Sequence, residues 1–463
     1  MVNAAAFFSS YARRKRTCGH SRNNAATAAS FGSFENNGSS DDNATLGFAK
    51  SVFIDDLDDG NDVEQMQKDY AKFHRSGWSY AMSNLREALH VDKQPHLSLH
   101  DAESSSSAVI RFDYYVDRTF HWKRDELIEA GKLPRSSDVP WAGVVHHTFD
   151  TGHSRYNCVE MLADPVFRNS LRSCVALFTL SEHLADRLRI ALDGLDLSFS
   201  PPSVIAVTHP TEFLRREWHY FTAKNFWENP DRALIQVGAW LRDPYAIYDL
   251  NVEGGILAPR DVVVRLRKAA LCGRNMGQYF PPSDFGKLEL HMRDKATREY
   301  LKFDGEGGEK KIVDTVQALS CPPADIGSVE YAFGESLVEF LSKHNDSVQM
   351  IPRQDDKRYD ALLSKNAVFL KLVDASAVNT VIECIVRNTP VFVNRLPAVE
   401  EALGRDYPGF YESLKEAAVL VTRYESYERM ERYLVAMDKK KFMVEAFVRA
   451  VHDGLVRVVK KCI

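Results

Sequence analysis

The sequence predicts an α/β protein built from two doubly wound halves that face a common cleft. From residue 50 onward, apolar runs of strand length alternate with segments of helical period. Such alternation favours parallel sheets joined by crossover helices. An aromatic, Asn-rich connector interrupts the pattern near residue 220, and the pattern then starts again. We therefore expect a first half over 49–220, a second half over 221–425 and C-terminal helices over 426–463.

The expected strands of the first half are short apolar segments bounded by turn or polar residues, at 51–54, 108–112, 141–146, 175–180 and 203–207. A helix fits between the last two, over 181–192, because Ser181 is a suitable N-cap and Leu184 and Leu188 recur at helical spacing. An earlier helix is expected within 63–89. This half is Rossmann-like in its order of elements.

The second half repeats the pattern, with strands expected at 234–238, 261–266, 347–351, 367–372 and 390–393. Residues 282–312 are polar, charged and Gly-rich, which predicts a surface insertion. Parallel sheets bind ligands outside the carboxyl ends of their strands. Function is therefore expected in the cleft between the two halves.

Composition excludes several classes of protein. The 463 residues carry 59 Lys and Arg against 64 Asp and Glu, and 59 − 64 = −5 is too close to balance for a nucleic-acid binder steered by charge. The sequence contains no run of 18 apolar residues, so no transmembrane segment is expected. The seven cysteines are scattered singly, without a CxxC pair, which argues for a reducing, cytoplasmic setting and against a structural zinc site. We expect neither a metal nor a resident cofactor.

The N-terminal 48 residues differ from the rest. Residues 1–34 contain five bases and no acid, and the low apolar content up to residue 48 predicts a disordered basic tail. Its Arg-rich, Ser-rich start also leaves organelle targeting open as an alternative.

The most informative segment begins where the 367–372 strand ends. A short loop carries Asp374 and Ser376, and a helix is expected over 378–387. Asn379 and Thr380 lie in the first turn of that helix, where unpaired N–H groups bind anions such as phosphate. An ordinary crossover helix is the alternative interpretation.

Glu383 follows one turn later in the same helix. There it is expected to face the wet crevice and to accept hydrogen bonds from ribose hydroxyls. Residues 370–404 as a whole resemble the donor-binding signature of GT-B glycosyltransferases of the group-1 pattern. Glu383 falls on the second glutamate of that pattern, 388–391 (Asn-Thr-Pro-Val) on its G-T-P-V element and Glu400 on the acid that follows. The resemblance implies a GT-B fold and a nucleotide-sugar donor used without a metal ion.

The sequence departs from that pattern at two places. Ala375 stands where the family has its first glutamate, eight residues before the second, and Asp374 is the nearest acid. The family also has an Arg and a Lys after the first strand of the second half. Here Gly238 ends that strand and Arg242 follows, so Arg242 is the candidate phosphate ligand, with the basic pair 267–268 as a further source of charge.

The candidate acceptor site lies in the first half, after the 141–146 strand. This strand delivers His146 and His147 to its carboxyl end, and only one of them can project toward a given ligand. We expect His147 to bind or deprotonate an acceptor hydroxyl, with Asp150 as the orienting acid. A metal site that adds His153, or a core histidine held by the backbone, are the alternatives.

A second segment, 111–122, combines aromatic rings with Asp113 and Asp117. Rings stack on sugar faces and carboxylates accept hydroxyl hydrogens, so this segment suits a sugar acceptor, although most such rings form core.

These features together predict a hexosyl-type glycosyltransferase that takes a nucleotide-sugar donor in the second half and an unidentified hydroxyl acceptor (glycan, protein or lipid) in the first. His147, Asp150 and Asp374 are the expected catalytic residues. The expected donor-binding residues are Gly238, Arg242, Ser376, Asn379, Thr380, Glu383 and Glu400. The alternative is a non-catalytic GT-B-like protein that binds a nucleotide or glycan, and an RNA-associated protein is disfavoured by the acidic remainder.

Overall fold

The computed structural model describes residues 52–56, 77–91, 108–133, 140–151, 156–195, 197–214, 220–238, 241–243, 246–252, 254–258, 262–271, 348–351 and 354–462. All of them belong to one compact unit, Ala49–Ile463. The expected tail over 1–48 and the expected insertion over 282–312 lie outside the described residues.

The first half contains a five-stranded parallel sheet whose spatial order follows the chain: β1 Val52–Asp56, β2 Ala108–Asp113, β3 Trp141–Val145, β4 Cys174–Thr179 and β5 Ser203–Ala206. Its helices are α1 Trp78–Leu89, α2 Val116–Phe120, α3 Arg124–Glu129, α4 Cys158–Ala163, α5 Pro165–Ser170 and α6 Glu182–Asp193. The strands agree with the predicted segments to within two residues. α6 begins as predicted, since the Ser181 hydroxyl accepts a hydrogen bond from the Leu184 amide.

The second half contains β6 Ala233–Val237, β7 Ile256–Ala258, β8 Val262–Val264, β9 Arg267–Leu271, β10 Gln349–Ile351, β11 Ala367–Leu370, β12 Val391–Asn394 and β13 Phe410–Tyr411. Six of these form a parallel sheet in the order β10-β9-β6-β11-β12-β13. The chain leaves β6 toward one edge and returns to build β11 on its other side. The strand order therefore reverses between β6 and β11, which is where doubly wound sheets bind their ligands.

One predicted strand of the second half is placed differently. The apolar segment 261–266 becomes β8 of an antiparallel hairpin with β7, and Val263 is 65% exposed. The sheet instead uses β9, whose first residues are Arg267 and Lys268. Lys268 Nζ donates to the carbonyls of Tyr248 and Leu250. This basic pair therefore lies at the amino edge of the sheet, away from the carboxyl ends, and the expectation that it supplies charge to a donor is wrong.

The helices of the second half are α7 Ala223–Glu228, α8 Ala246–Asp249, α9 Asp356–Lys365, α10 Asn379–Arg387, α11 Pro397–Leu403, α12 Leu414–Val421 and α13 Tyr424–Ala436, and α14 Val444–Cys462 follows. α10 ends where Asn388 adopts a left-handed conformation with φ of 61°, and Pro390 follows, as the sequence predicts.

Both sheets are covered on their two faces, which is the doubly wound layout expected. In β4, Leu177 packs in a core with Leu184 of α6, whereas the neighbouring Phe178 faces α14. A Cβ atom at Gly454 of α14 would stand 2.9 Å from the Phe178 ring, so glycine permits this close approach. α14 thus follows the second half in sequence but packs on the first sheet. Within the described residues, no helix is both long and apolar enough to cross a bilayer.

Candidate functional site

The carboxyl ends of both sheets border one cavity of about 410 Å³. The segment after β4 contributes Ser181, the segment after β5 contributes Thr208 and His209, and the loop after β11 contributes Ser376. Helices α10, α11 and α14, with residues 441–442 before α14, form most of the remaining wall. Two Rossmann-like halves therefore present their ligand-binding edges to one cleft. The fold is GT-B-like.

Three of the predicted donor-binding residues meet at the reversal point of the second sheet. Gly238 follows β6 with φ of +81°, and the Arg242 guanidinium lies against it, since a Cβ atom there would stand 2.9 Å from Arg242 Cζ. Arg242 Nη2 also donates to Thr380 Oγ1 at 3.1 Å. A backbone bridge between Arg242 and Leu372 holds this segment beside the end of β11. We call Gly238, Arg242 and Thr380 the cradle.

The N-terminus of α10 opens beside the cradle. Its N-cap residue is Val378, which has no side-chain acceptor for the first-turn amides of Asn379 and Thr380. Ser376, 5% exposed, lines the cavity, and its hydroxyl has no hydrogen-bond partner among the described residues. Amides without a side-chain cap and a buried hydroxyl at a helix N-terminus suit an oxyanion.

Glu383 is buried rather than open to the crevice, which corrects the expectation that it faces water. The side chain is 1% exposed, and the Tyr359 hydroxyl donates to its Oε2 atom at 2.7 Å. Burial and the Glu383 charge raise the pKa of Tyr359 well above its usual range. Arg387 lies one turn further along α10 and pairs with Asp360 at 3.1 Å. Burial alone would lower the pKa of Arg387, but the nearby acids raise it.

Asp374 joins the two halves. Its Oδ2 atom lies 3.4 Å from Arg187 Nη1 of α6, and its Oδ1 atom accepts the Ala375 amide at 2.8 Å. The Arg187 guanidinium also lies 4.7 Å from the centre of the Phe149 ring. The acid nearest to the family's first glutamate is thus balanced by an arginine from the other half.

Two adjacent acids of α11 have different partners. Glu400 accepts a hydrogen bond from Arg395 Nη1 at 2.6 Å. Its neighbour Glu401 lines the cavity and accepts the amides of Glu182 and His183 at 2.8 and 2.6 Å. Glu401 of the second half therefore caps α6 of the first half, where a carboxylate is favoured by the helix dipole.

In the first half, the acid placed against the histidines is Asp117. Its carboxylate accepts the backbone amides of His146 and His147 at 2.7 and 3.1 Å, and its oxygens lie 3.6 and 3.9 Å from the two Nδ1 atoms. Gly143 makes this possible, because a Cβ atom in β3 would stand 2.5 Å from Val116 of α2. Asp150, the acid expected here, is half-buried, and its amide donates to the Thr148 hydroxyl at 3.3 Å.

Burial and charge together set the protonation states of Asp117 and His147. Burial would raise the pKa of Asp117, but His147 and His146 outweigh it and hold that pKa below its ordinary value. Burial lowers the pKa of His147 to about 4. At neutral pH the pair is therefore a carboxylate beside a neutral imidazole, which is the form that accepts a proton.

Aromatic rings surround His147, which is 4% exposed. Trp122 and His121 stack near it with ring centres at 5.6 and 5.9 Å, and Tyr156 contacts both of those rings. Within the described residues, no group of three or more His, Cys, Asp or Glu side chains is arranged to hold a metal ion. His153, named in the metal alternative, lies outside them.

Comparisons with known proteins give distant structural similarity. No protein-family model and no curated protein sequence matches the chain. Anabaena HepE in complex with UDP and glucose is 10% identical, with 88% of this chain and 99% of that chain covered and a TM-score of 0.43. A UDP-forming trehalose-phosphate synthase from Burkholderia xenovorans is 11% identical, with 82% and 79% covered and a TM-score of 0.40. The N-terminal domain of Candida albicans trehalose-6-phosphate phosphatase is 10% identical, with 83% and 76% covered and a TM-score of 0.39.

Sequence reasoning missed several residues that contact the predicted site residues or join the two halves. Arg187 and Glu401 act across the two halves, and their contacts are separated by 187 and more than 200 positions. Tyr359 covers Glu383 from the preceding helix. The acid–aromatic segment 111–122 did single out Asp117, but as a sugar ligand and not as the partner of the histidines.

Proposed function

We propose that the chain is a glycosyltransferase that moves a sugar, of the hexosyl type, from a nucleoside-diphosphate donor to a hydroxyl acceptor. The observation that carries the proposal is the cradle. Arg242, Thr380 and Gly238 meet at the reversal point of the second sheet, beside a helix N-terminus whose first amides lack a side-chain cap. A diphosphate is the group that this combination of a cation, amides and hydroxyls would bind.

In the proposed reaction, the bond between the sugar and the diphosphate breaks and a bond from the sugar to the acceptor oxygen forms. Negative charge develops on the departing diphosphate, and Arg242 and the α10 amides stabilise it there. The Ser376 hydroxyl adds a donor from inside the cavity.

The first half would supply the acceptor side. His147 is the proposed base that takes the acceptor proton, and Asp117, rather than Asp150 alone, orients and stabilises the imidazolium that forms. Asp374 and Asp150 are proposed to make further contacts with the sugar or the acceptor. Glu383 remains the proposed ribose ligand, on the condition that the donor displaces the Tyr359 hydroxyl.

Calorimetric titration of UDP and GDP into the full chain tests the donor site. We expect Arg242→Gln to weaken nucleoside-diphosphate binding by roughly tenfold or more, because a hydrogen bond to a charged group is lost. Arg432→Gln, which removes an exposed arginine of α13, is the matched control and should bind like the wild type. A wild-type chain that binds neither nucleotide would overturn the proposal.

Turnover of UDP- and GDP-sugars tests the chemistry. His147→Ala should slow transfer by roughly 10²-fold while nucleoside-diphosphate affinity is retained. Equal losses of donor affinity and stability would assign His147 to the core instead.

A further inference from the structure

A pair of charged side chains connects the first half to the loop that precedes the proposed phosphate site. Arg187 Nη1 lies 3.4 Å from Asp374 Oδ2, and the two side chains are 31% and 16% exposed. Both side chains therefore keep part of their surface open to solvent. The Phe149 ring, 4.7 Å from the guanidinium carbon, supports Arg187 from the first half.

The position of Asp374 brings Arg187 close to the α10 N-terminus. Asp374 precedes Ser376 by two residues, a separation that spans at most about 7 Å of chain. The Ser376 hydroxyl and the first-turn amides of α10 form the proposed oxyanion site. The Arg187 guanidinium, held at Asp374, is therefore near enough to that site for a change of side-chain rotamer to bring it to a bound anion.

The charge of the proposed donor gives a reason for such a rotation. A nucleoside diphosphate carries more than one negative charge, whereas Arg242 supplies one positive charge. Lys371, which follows β11, is paired with Asp243 at 2.9 Å, and the Asp243 amide also donates to the Lys371 carbonyl, so a backbone bond holds that pair together. An arginine that is paired with a single carboxylate can exchange it for a phosphate, because phosphate oxygens accept two parallel N–H bonds from the planar guanidinium.

We propose that Arg187 is the second phosphate-binding cation of the donor site, and that it exchanges Asp374 for the outer phosphate when a nucleoside diphosphate binds. This inference rests on the proposed function. It assigns a donor contact to the half otherwise expected to bind the acceptor.

The test compares nucleoside diphosphates with monophosphates by calorimetry on the full chain, using UDP with UMP and GDP with GMP. Arg187→Gln should weaken diphosphate binding by about tenfold and leave monophosphate binding unchanged, because only the outer phosphate loses its partner. Asp374→Asn should strengthen diphosphate binding severalfold, since it removes both the competitor and a nearby negative charge.

Arg189→Gln is the matched control. It removes the same charge from the same helix, but Arg189 contacts Glu182, Asp186 and the Val204 carbonyl instead of Asp374. It should leave both affinities unchanged. If Arg187→Gln does not fold, Arg187→Lys keeps the charge, loses the fork and should still weaken diphosphate binding a few fold without affecting the monophosphate.

Three results would overturn the inference: diphosphate affinity unchanged in Arg187→Gln, equal losses for both nucleotides, or a loss in Asp374→Asn that matches the loss in Arg187→Gln. The last two would show that the pair only holds the loop in place. Nucleotide binding that fails in the wild type overturns the proposed function together with this inference. Binding that is normal in the wild type and in Arg187→Gln overturns this inference alone.

Discussion

Replacement of Glu383 by alanine should destabilise the second half, contrary to what its place in a crevice helix suggests. The carboxylate is 1% exposed and accepts the Tyr359 hydroxyl at 2.7 Å. It also contributes to the negative charge around Arg387, which is fully buried. Removing Glu383 therefore leaves a buried hydroxyl without this acceptor and a buried cation with less compensation.

The magnitude follows from these two contacts. A hydrogen bond to a charged group is worth about 1.5–3 kcal/mol. Loss of one partner from a buried ion pair costs about 3–5 kcal/mol, but Arg387 keeps Asp360 at 3.1 Å. We expect the free energy of unfolding to fall by about 3 kcal/mol in Glu383→Ala, and by roughly half as much in Glu383→Gln, which keeps an acceptor oxygen.

Urea unfolding followed by circular dichroism measures this loss, and a double-mutant cycle with Tyr359→Phe isolates the hydrogen bond. The coupling free energy should be about 1–2 kcal/mol. Glu445→Ala, at an exposed position of α14, is the control and should stay within about 0.5 kcal/mol of the wild type. A loss below about 1 kcal/mol in Glu383→Ala, or a coupling near zero, would refute the reasoning.

Three further predictions concern other parts of the chain. The pKa of His147 is about 4, against an ordinary value of 6.5, so neutral His147 contributes fully to the free energy of unfolding above pH 6.5. That contribution, up to roughly 3 kcal/mol, is lost as the pH falls from 6.5 toward 4. The contribution of Asp117 to stability is lost only below its ordinary pKa of 3.8. The free energy of unfolding, measured at several pH values, should therefore change less between pH 6.5 and 4 in His147→Asn than in the wild type. Glu401→Ala removes the carboxylate that accepts the first two amides of α6, while the Ser181 cap remains, and should lower the free energy of unfolding by about 1 kcal/mol in urea titrations, an effect that Glu400→Ala should not reproduce. Asn388 has a left-handed φ of 61°, which alanine tolerates less well than asparagine, and Asn388→Ala also loses the contact with Lys439, so it should cost about 1–2 kcal/mol. Asn388→Gly has no Cβ atom to oppose this φ and should melt at a higher temperature than the alanine variant.

The sequence by itself determined the alternation of strands and helices and the bounds of most of the sheet strands. The strand β11 and the helix α10 are predictable from the sequence, because strand burial and helix ends depend on short stretches of residues. The left-handed Asn388 and the following proline ended α10 where expected for the same reason. Local pattern failed at 261–266, since an apolar run does not show whether its strand joins the sheet or an exposed hairpin.

Tertiary structure decided which side chains meet. Gly238 and Arg242 lie about 140 positions before Thr380, and only the order of β6 and β11 in the sheet brings them together. The burial of Glu383 depends on Tyr359 of a different helix, and the pairing of Asp374 depends on Arg187 of the other half. Such contacts are set by how elements pack and not by residue spacing, so a single sequence identifies the candidate groups while the fold determines their partners.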